Sequence, residues 1–298
     1  MQDNSVIVEH VLSIIKRSNA RAELILYPRE GRSVDIVTRV NERPVLMKIT
    51  YTTTSLTENE VSDLRKARSA YSASTIVVAV KNKRGDLESE VVYFKHGSYV
   101  ITPETLENML SKNEYPLVAY IRGNYVLKIN SEKFKKRAKE LGLTRGDIAE
   151  YLGVTKKAVY MYERGEMYID LERGLKLASI MGEDIFEEFN PLKDVGELDQ
   201  TTKEPPQPRD ALEEALYELA SAAGSTFYIF SRMPVDVAIR GRRTLSIVKD
   251  ITDKYREDKI ESAERLSENT NAELYVVRSV KDVKRLSKVL TSNNPSLI

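Results

Sequence analysis

The chain has 298 residues, of which 41% are hydrophobic and 31% charged, and its formal net charge is +1; this is ordinary for a soluble protein of about two domains. The absence of cysteine excludes disulfide scaffolds, thiolate metal sites and cysteine nucleophiles. Apolar runs such as residues 75–80 are far shorter than the ~20 residues that a membrane helix needs. With no visible targeting segment, we expect a cytoplasmic protein without membrane contact, whose affinity for nucleic acid depends on local basic patches.

Residues 1–117 are predicted to form an α/β domain. A helix over "VIVEHVLSIIKRS" precedes the strand "AELILYP", a strand pair within "VDIVTRVNERPVLMKIT", a charged helix over "ENEVSDLRKARSAY" and the strand "STIVVAV". Strands and helices in this alternation are typical of an α/β architecture. The segment 91–102 predicts a hairpin that extends the sheet, and "PETLENML" a closing helix.

Residues 118–190 are predicted to form a hairpin followed by four short helices. The hairpin "VAYIRGNYVLKI" (118–129) has a Gly-Asn turn and is interpreted as a wing or strap. The helices cover 131–142, 144–153, 155–165 and 170–182, with Thr144 and Thr155 as N-caps and Gly153 in a turn. Helical spacing predicts that one set of side chains faces inward: Phe134, Ala138, Leu141, Ile148, Ala149, Leu152, Val159, Tyr162, Leu171, Leu175 and Ala178.

The order, caps and spacing of these helices resemble the lambda-repressor/Cro-like (xenobiotic-response-element type) helix-turn-helix family over about residues 128–190. The "ERG" that ends the third helix adds to the resemblance. Residues 128–182 hold twelve Lys and Arg against eight Asp and Glu, a net charge of +4. This charge favours a DNA-binding head over the alternative, an unspecialised helical bundle.

The resemblance implies that helix 155–164 lies in a major groove of double-stranded DNA. Lysines there can donate to guanine, while a tyrosine and a methionine can meet a thymine methyl. Arginines at the helix ends are placed for phosphates. For each charged residue the alternative is a solvated face. The implied DNA-binding residues are Thr144, Arg145, Thr155, Lys156, Lys157, Tyr160, Met161 and Arg164.

One position departs from the family pattern. Many members carry an arginine on the first helix that pairs with the glutamate ending the third helix. Here Ala138 stands at that position, so Glu163 lacks its usual partner. Arg137 is the candidate substitute.

Residues 191–208 are predicted to be a linker, since the stretch 190–210 has four prolines and almost no large apolar residues. Residues 209–298 then repeat the element order of the N-terminal domain. The separation of Asp35 from Lys48 equals that of Asp236 from Lys249, 13 positions in each half. The predicted fold is therefore mixed: an α/β domain, an all-α helix-turn-helix domain and a second, smaller α/β domain.

The repeated element order resembles the PD-(D/E)xK nuclease core, particularly the archaeal Holliday-junction resolvases. In that family an aspartate and a second acid, two residues before a lysine, bind a divalent metal. Asp35 and Lys48 match, as do Asp236 and Lys249, but Leu46 and Ile247 stand at the second-acid positions. Since a hard cation requires oxygen ligands, we interpret these residues, with Glu9, as remnants and predict no enzyme activity, metal or cofactor.

The whole arrangement resembles an archaeal group of helix-turn-helix transcriptional regulators. A homodimeric, sequence-specific regulator is the favoured function. Two alternatives stay open: a DNA-processing nuclease guided by the head, and a repair adaptor that binds structured DNA through the flanking domains. The sequence indicates neither the operator nor an effector.

Overall fold

The computed structural model describes residues 4–193, 206–250 and 254–291. The N-terminal domain contains α1 (Asn4–Arg17), β1 (Ala22–Leu24), β2 (Ile36–Val40), β3 (Arg43–Thr52), α2 (Glu58–Tyr71), β4 (Ser74–Asn82), β5 (Gly85–Asp86), β6 (Val91–Lys95), β7 (Ser98–Ile101) and α3 (Pro103–Glu107). A π-helical turn (Asn108–Lys112) follows α3. β3 is buried over most of its length because α1 covers one face of the sheet and α2 the other.

The hairpin of β8 (Val118–Ile121) and β9 (Asn124–Ile129) joins the N-terminal domain to the helices that follow. β8 pairs in parallel with β6, and β9 pairs with two short strands, β10 (Ile169–Asp170) and β11 (Phe186–Glu187). The hairpin is thus part of a continuous sheet, and the interpretation as a wing or strap was wrong. Its turn residues are Arg122 and Gly123, with φ of 51° and 95°, because Asn124 already pairs with Ile121.

Four helices form the head: α4 (Ser131–Glu140), α5 (Arg145–Leu152), α6 (Lys156–Glu163) and α7 (Leu171–Met181). Most of the predicted inward set lies in its core, but Leu141 and Leu175 are 47% and 60% exposed, so their assignment was wrong. α7 packs so closely on β9 that a Cβ on Gly174 would overlap Cδ1 of Leu127. α7 therefore turns Gly174 inward and its neighbour Leu175 outward.

The C-terminal domain contains α8 (Ala211–Ala222), β12 (Thr226–Ile229), β13 (Val237–Arg240), β14 (Thr244–Lys249), α9 (Arg256–Thr270), β15 (Glu273–Val277) and α10 (Val280–Thr291). Its strand pairings repeat those of β1 to β4: antiparallel, antiparallel, parallel. This bears out the predicted repeat. The predicted linker lies mostly outside the described residues, but Leu192 is buried with Phe189 in the N-terminal core.

The two repeats differ by one residue in the hairpin between their second and third strands. Val40 pairs with Arg43, whereas Arg240 pairs with Thr244. Although Asp35 and Lys48 are as far apart in sequence as Asp236 and Lys249, the two lysines therefore occupy strand positions that differ by one residue. Side chains one position apart point to opposite faces of a strand.

The α/β domains pack against each other, with α2 on β12 and β13 and α9 on β1 and β2. One hydrophobic core includes Leu64 and Tyr71 from the first domain and Phe230 and Leu266 from the second. Each domain's helix thus covers the other's strands, a reciprocal arrangement of the kind seen in twofold dimers. Among the described residues, no helix has the length and apolarity required to cross a membrane.

Candidate nucleic-acid interface

The turn between α5 and α6 depends on local backbone chemistry. Gly153 ends α5 at φ 64°, a left-handed conformation that suits glycine. The hydroxyl of Thr155 accepts a hydrogen bond from the N–H of Ala158, and Thr144 forms a capping box with Asp147. The hydroxyls of both threonines are therefore occupied in the caps that set the helix geometry.

The N-terminal, outward face of α6 carries the predicted groove-facing residues. Lys156, Lys157 and Tyr160 are exposed, and Met161 is half-buried. The opposite face of α6 is buried through Val159 and Tyr162. A short helix held on one face by the core leaves the other face available to a partner.

Glu163 has Arg145 as its partner, not Arg137. Nε of Arg145 donates to the Glu163 carboxylate at 2.7 Å, whereas Arg137 pairs with Glu140 and Asp184. The prediction of Arg137 was wrong because α5 begins beside the end of α6, where Arg145 is closer. In the helix-turn-helix family that the head resembles, the arginine that pairs with this glutamate lies on the first helix, whereas here it is Arg145 on the second helix, α5.

Two arginines hold Tyr160. The guanidinium of Arg145 lies 5.0 Å from the centroid of the Tyr160 ring and that of Arg164 lies 5.6 Å from it, within range of cation–π attraction. Arg164 also donates to the Tyr160 hydroxyl at 3.0 Å. The Ser131 hydroxyl donates to the backbone carbonyl of Glu163, so hydrogen bonds fix both the end of α6 and the Tyr160 ring.

These side chains border an open recess of about 410 Å³. Lys135, Arg145 and Arg164 contribute three positive charges to it, against one negative charge from Glu163. An excess of cations in a recess beside an exposed helix is suited to an anionic group such as a phosphate.

Asp35 and Lys48 in the N-terminal domain belong to a buried ion cluster. Asp35 accepts from Arg32 at 2.6 Å and lies 3.4 Å from Nζ of Lys48, which also lies 3.2 Å from Glu60 of α2. Burial would raise the pKa of Glu60, but hydrogen bonds from Thr57 and the charge of Lys48 lower it overall. Leu46 is fully buried on the same face, and Glu9 is exposed on α1.

In the C-terminal domain, Lys249, which matches the family lysine by its spacing from Asp236, does not occupy the position of Lys48. Asp236 accepts from the N–H of Lys249, as Asp35 does from Ile49, so Lys249 is the counterpart of Ile49. Nζ of Lys249 contacts Asp210 and Glu213 beside α8 instead. The cation at Asp236 is Lys259, at 2.6 Å. The equal spacing therefore did not make Lys249 the equivalent of Lys48.

The same shift changes the residue at the second-acid position. Leu46 pairs with Val37 and Ser246 with Ala238, so Ser246, not Ile247, is the counterpart of Leu46. α9 is capped at its C-terminus by Asn271 and α2 by Ser72, both in a left-handed conformation. Lys259 lies twelve residues before Asn271, and Glu60 lies twelve residues before Ser72. The two helices thus present opposite charges at equivalent positions.

Sequence reasoning missed Glu60, Glu213 and Lys259. The sequence Thr-x-x-Glu at 57–60 could have indicated a capping box, but nothing local shows that Glu60 also reaches Lys48. Within the described parts of the chain, no group of three or more His, Cys, Asp or Glu side chains is arranged to hold a metal.

Comparison with known families agrees with this architecture. The PD-(D/E)XK superfamily domain matches residues 4–116, and the helix-turn-helix family matches residues 134–187. The chain therefore contains an N-terminal region that matches the PD-(D/E)XK superfamily and a central region that matches the helix-turn-helix family.

Curated proteins similar to this chain include several archaeal ones that carry provisional names as HTH-type transcriptional regulatory proteins. The one from Pyrococcus furiosus is 27% identical over 79% of this chain and 72% of its own. That from Thermococcus kodakarensis is 28% identical over 80% and 74%, and that from Saccharolobus solfataricus 33% identical over 60% and 56%. No solved structure gives a significant match.

Proposed function

We propose that this protein is a transcription regulator that binds double-stranded DNA sequence-specifically and reads the major groove with α6. The observation that carries the proposal is the outward face of α6, where Lys156, Lys157 and Tyr160 are exposed while the opposite face is locked in the core. The helix-turn-helix match and the names of the relatives support it.

In the proposed complex, α6 enters the groove by its N-terminal end. Lys156 and Lys157 donate to guanine, and the Tyr160 ring with Met161 contacts a thymine methyl. The recess beside Arg145 and Arg164 takes a backbone phosphate, which fixes the register of the helix on the duplex. Thr144 and Thr155 cap the N-termini of α5 and α6, and in this proposal they hold these two helix ends beside the DNA backbone.

The experiment compares wild type with Lys156→Ala/Lys157→Ala on a site selected from random duplex DNA. We expect a loss of ~1–3 kcal/mol for each good base contact removed. Lys281→Ala, which removes an exposed lysine from α10, is the control. Unchanged binding by the double variant would remove α6 from the reading role.

The flanking domains act in this proposal as scaffold, without phosphodiesterase activity. Support comes from the buried Leu46 and from Asp35, whose carboxylate is already neutralised by Arg32 and Lys48. The match to the PD-(D/E)XK superfamily makes cleavage the specific alternative, and it is tested separately below. Competition between the selected duplex and a four-way junction distinguishes a regulator from an adaptor for structured DNA.

The proposal includes a cytoplasmic homodimer, in which two heads read two half-sites about one helical turn apart. Because α2 already packs on β12 and β13 and α9 on β1 and β2 within the chain, the contact between subunits uses other surfaces of the flanking domains. Pairing two heads adds both affinity and specificity over a single short helix.

A further inference from the structure

We propose that a small organic cation binds in a pocket at the junction between the N-terminal domain and the head. This neck pocket has a volume of about 400 Å³, within the usual range for small-molecule sites. Its lining includes Glu90, Asn108, Glu114, Tyr115, Leu117 and Val118.

The neck pocket lies where the chain enters and leaves the head. The lining residue Pro116 accepts, through its carbonyl, a hydrogen bond of 2.7 Å from the N–H of Phe189 on the returning chain. Val118 packs against the core that the two α/β domains share and also against the core of the head. A molecule in this pocket therefore touches Pro116 and Val118, which themselves contact the returning chain and the core of the head.

The lining defines the chemistry of the occupant. Leu117, 37% exposed, and the half-buried Val118 and Tyr115 offer apolar surface, while Glu90 and Glu114 add two carboxylates. None of the lining residues is basic, and the cation beside Glu114, Lys112 outside the lining, lies 3.9 Å from its carboxylate, at the limit of an ion pair. Apolar surface with two negative charges suits an alkyl or aryl ammonium ion, because its hydrocarbon body packs on the floor while its charge pairs with carboxylate.

The backbone positions of both glutamates are defined by hydrogen bonds. The N–H of Glu90 donates to the buried Thr105 hydroxyl at 3.0 Å, and the N–H of Glu114 donates to the Asn108 carbonyl at 3.3 Å across the π-helical turn. A π-helical turn often marks a functional site. Among the described residues, no group of three or more His, Cys, Asp or Glu side chains is placed to hold a metal ion, and the apolar floor of the pocket favours an organic cation.

Binding at the neck would bias the orientation of the head, since a ligand stabilises the arrangement that it fits best. This regulatory consequence rests on the proposed function, but the site itself does not. Binding is therefore measured first without DNA.

The experiment is calorimetric titration of the full-length protein with spermidine and putrescine, with butanediol as the uncharged match for putrescine. We expect saturable binding of the amines and none of the diol. Glu90→Gln/Glu114→Gln should weaken binding by about tenfold or more, as loss of charge-assisted hydrogen bonds does. Glu104→Gln, which changes an exposed glutamate of α3 outside the lining, should leave it unchanged.

Leu117→Phe narrows the pocket without a change of charge and should also weaken binding, which keeps the test decisive if the glutamine variant folds poorly. Absence of amine binding would overturn the proposal. The proposal would also fail if Glu104→Gln lost as much amine binding as the double glutamine variant, because that result would show only diffuse attraction of the amines to an acidic surface. DNA titrations with and without spermidine, in wild type and in the double variant, then separate regulation through the neck from spermidine bound to DNA.

Discussion

Asp63 of α2 and Ser262 of α9 make the same contact in opposite directions. The Asp63 carboxylate accepts from the N–H groups of Ser231 and Arg232 at 2.5 and 2.6 Å, and the Ser262 hydroxyl accepts from those of Leu26 and Tyr27 at 3.1 and 3.2 Å. Each residue lies nine positions before the left-handed residue that ends its helix. The contact between the α/β domains is therefore reciprocal even in its polar groups.

Asp63→Ala should loosen this contact more than Ser262→Ala. A buried carboxylate accepting two N–H groups contributes more than a hydroxyl, and we expect losses of ~3 and ~1 kcal/mol in the free energy of unfolding. Hydrogen exchange at Ser231 and Arg232 checks the first variant. Asp86→Ala, at an exposed surface position, is the control; unchanged exchange at both amides would contradict the assigned contact.

Tyr160→Ala should weaken DNA binding by ~1–2 kcal/mol, as expected for loss of an apolar base contact together with its cation–π support. Tyr160→Phe keeps the ring between Arg145 and Arg164 and loses only the hydroxyl bond to Arg164, so its loss should be smaller. Fluorescence anisotropy with the selected duplex measures both. Tyr151→Ala, an exposed tyrosine of α5, is the matched control, and equal losses at 151 and 160 would argue against a specific role for Tyr160.

The purified protein should cut neither duplex nor four-way DNA in magnesium or manganese. The reason is that Asp35 is paired with Arg32 and Lys48, Glu60 with Lys48, and Asp236 with Lys259, so that a lysine or arginine already holds each of these carboxylates in place of a divalent ion. Gel assays with labelled substrates check this. Metal-dependent cleavage that disappears in Asp35→Ala would refute the prediction and establish the nuclease alternative.

Glu213→Gln should make the free energy of unfolding of the C-terminal domain less dependent on pH in the acid range. Burial would raise the pKa of Glu213, but hydrogen bonds from Arg209 and Lys249 lower it below its usual 4.5. The ionised carboxylate therefore contributes stability above that pH, and this contribution is lost as the pH falls through the lowered pKa.

Urea unfolding over a pH series measures this effect. We expect the variant to lose ~3 kcal/mol at neutral pH, since Glu213 is fully buried and its loss leaves Lys249 and Arg209 without that charge. Below pH 4.5, the usual value for glutamate, its stability should fall less steeply than that of wild type. Glu264→Gln, an exposed position of α9, should follow the wild-type curve, and parallel curves for all three proteins would contradict the assignment.

Full-length protein should form a homodimer and bind a palindromic site more tightly than one half-site. The gain arises because the second head binds without a second loss of translational freedom. Sedimentation equilibrium and anisotropy titrations test assembly and binding. A monomer that binds both DNAs equally would end the dimer proposal without affecting the proposed reading role of α6.

The sequence alone determined the elements whose formation depends on neighbouring residues. The caps at Thr144 and Thr155 and the left-handed Gly153 predicted the starts and the turn of α5 and α6, because these groups satisfy backbone bonds within a few positions. The duplicated element order could be predicted for the same reason, because each strand and helix carries its own pattern of apolar residues.

Only the tertiary structure decided which residues meet across the chain. The partner of Glu163 is Arg145 because the packing of α5 on α6 places the start of α5 beside the end of α6. The cation at Asp236 is Lys259 because the second repeat has one residue fewer than the first between equivalent paired positions of its second and third strands, which turns Lys249 to the opposite face. The packing of α2 on the C-terminal domain and of α9 on the N-terminal domain is likewise decided by the tertiary structure. Sequence spacing measures distance along a strand, whereas contact depends on register and helix orientation, which the buried surfaces of both partners set together.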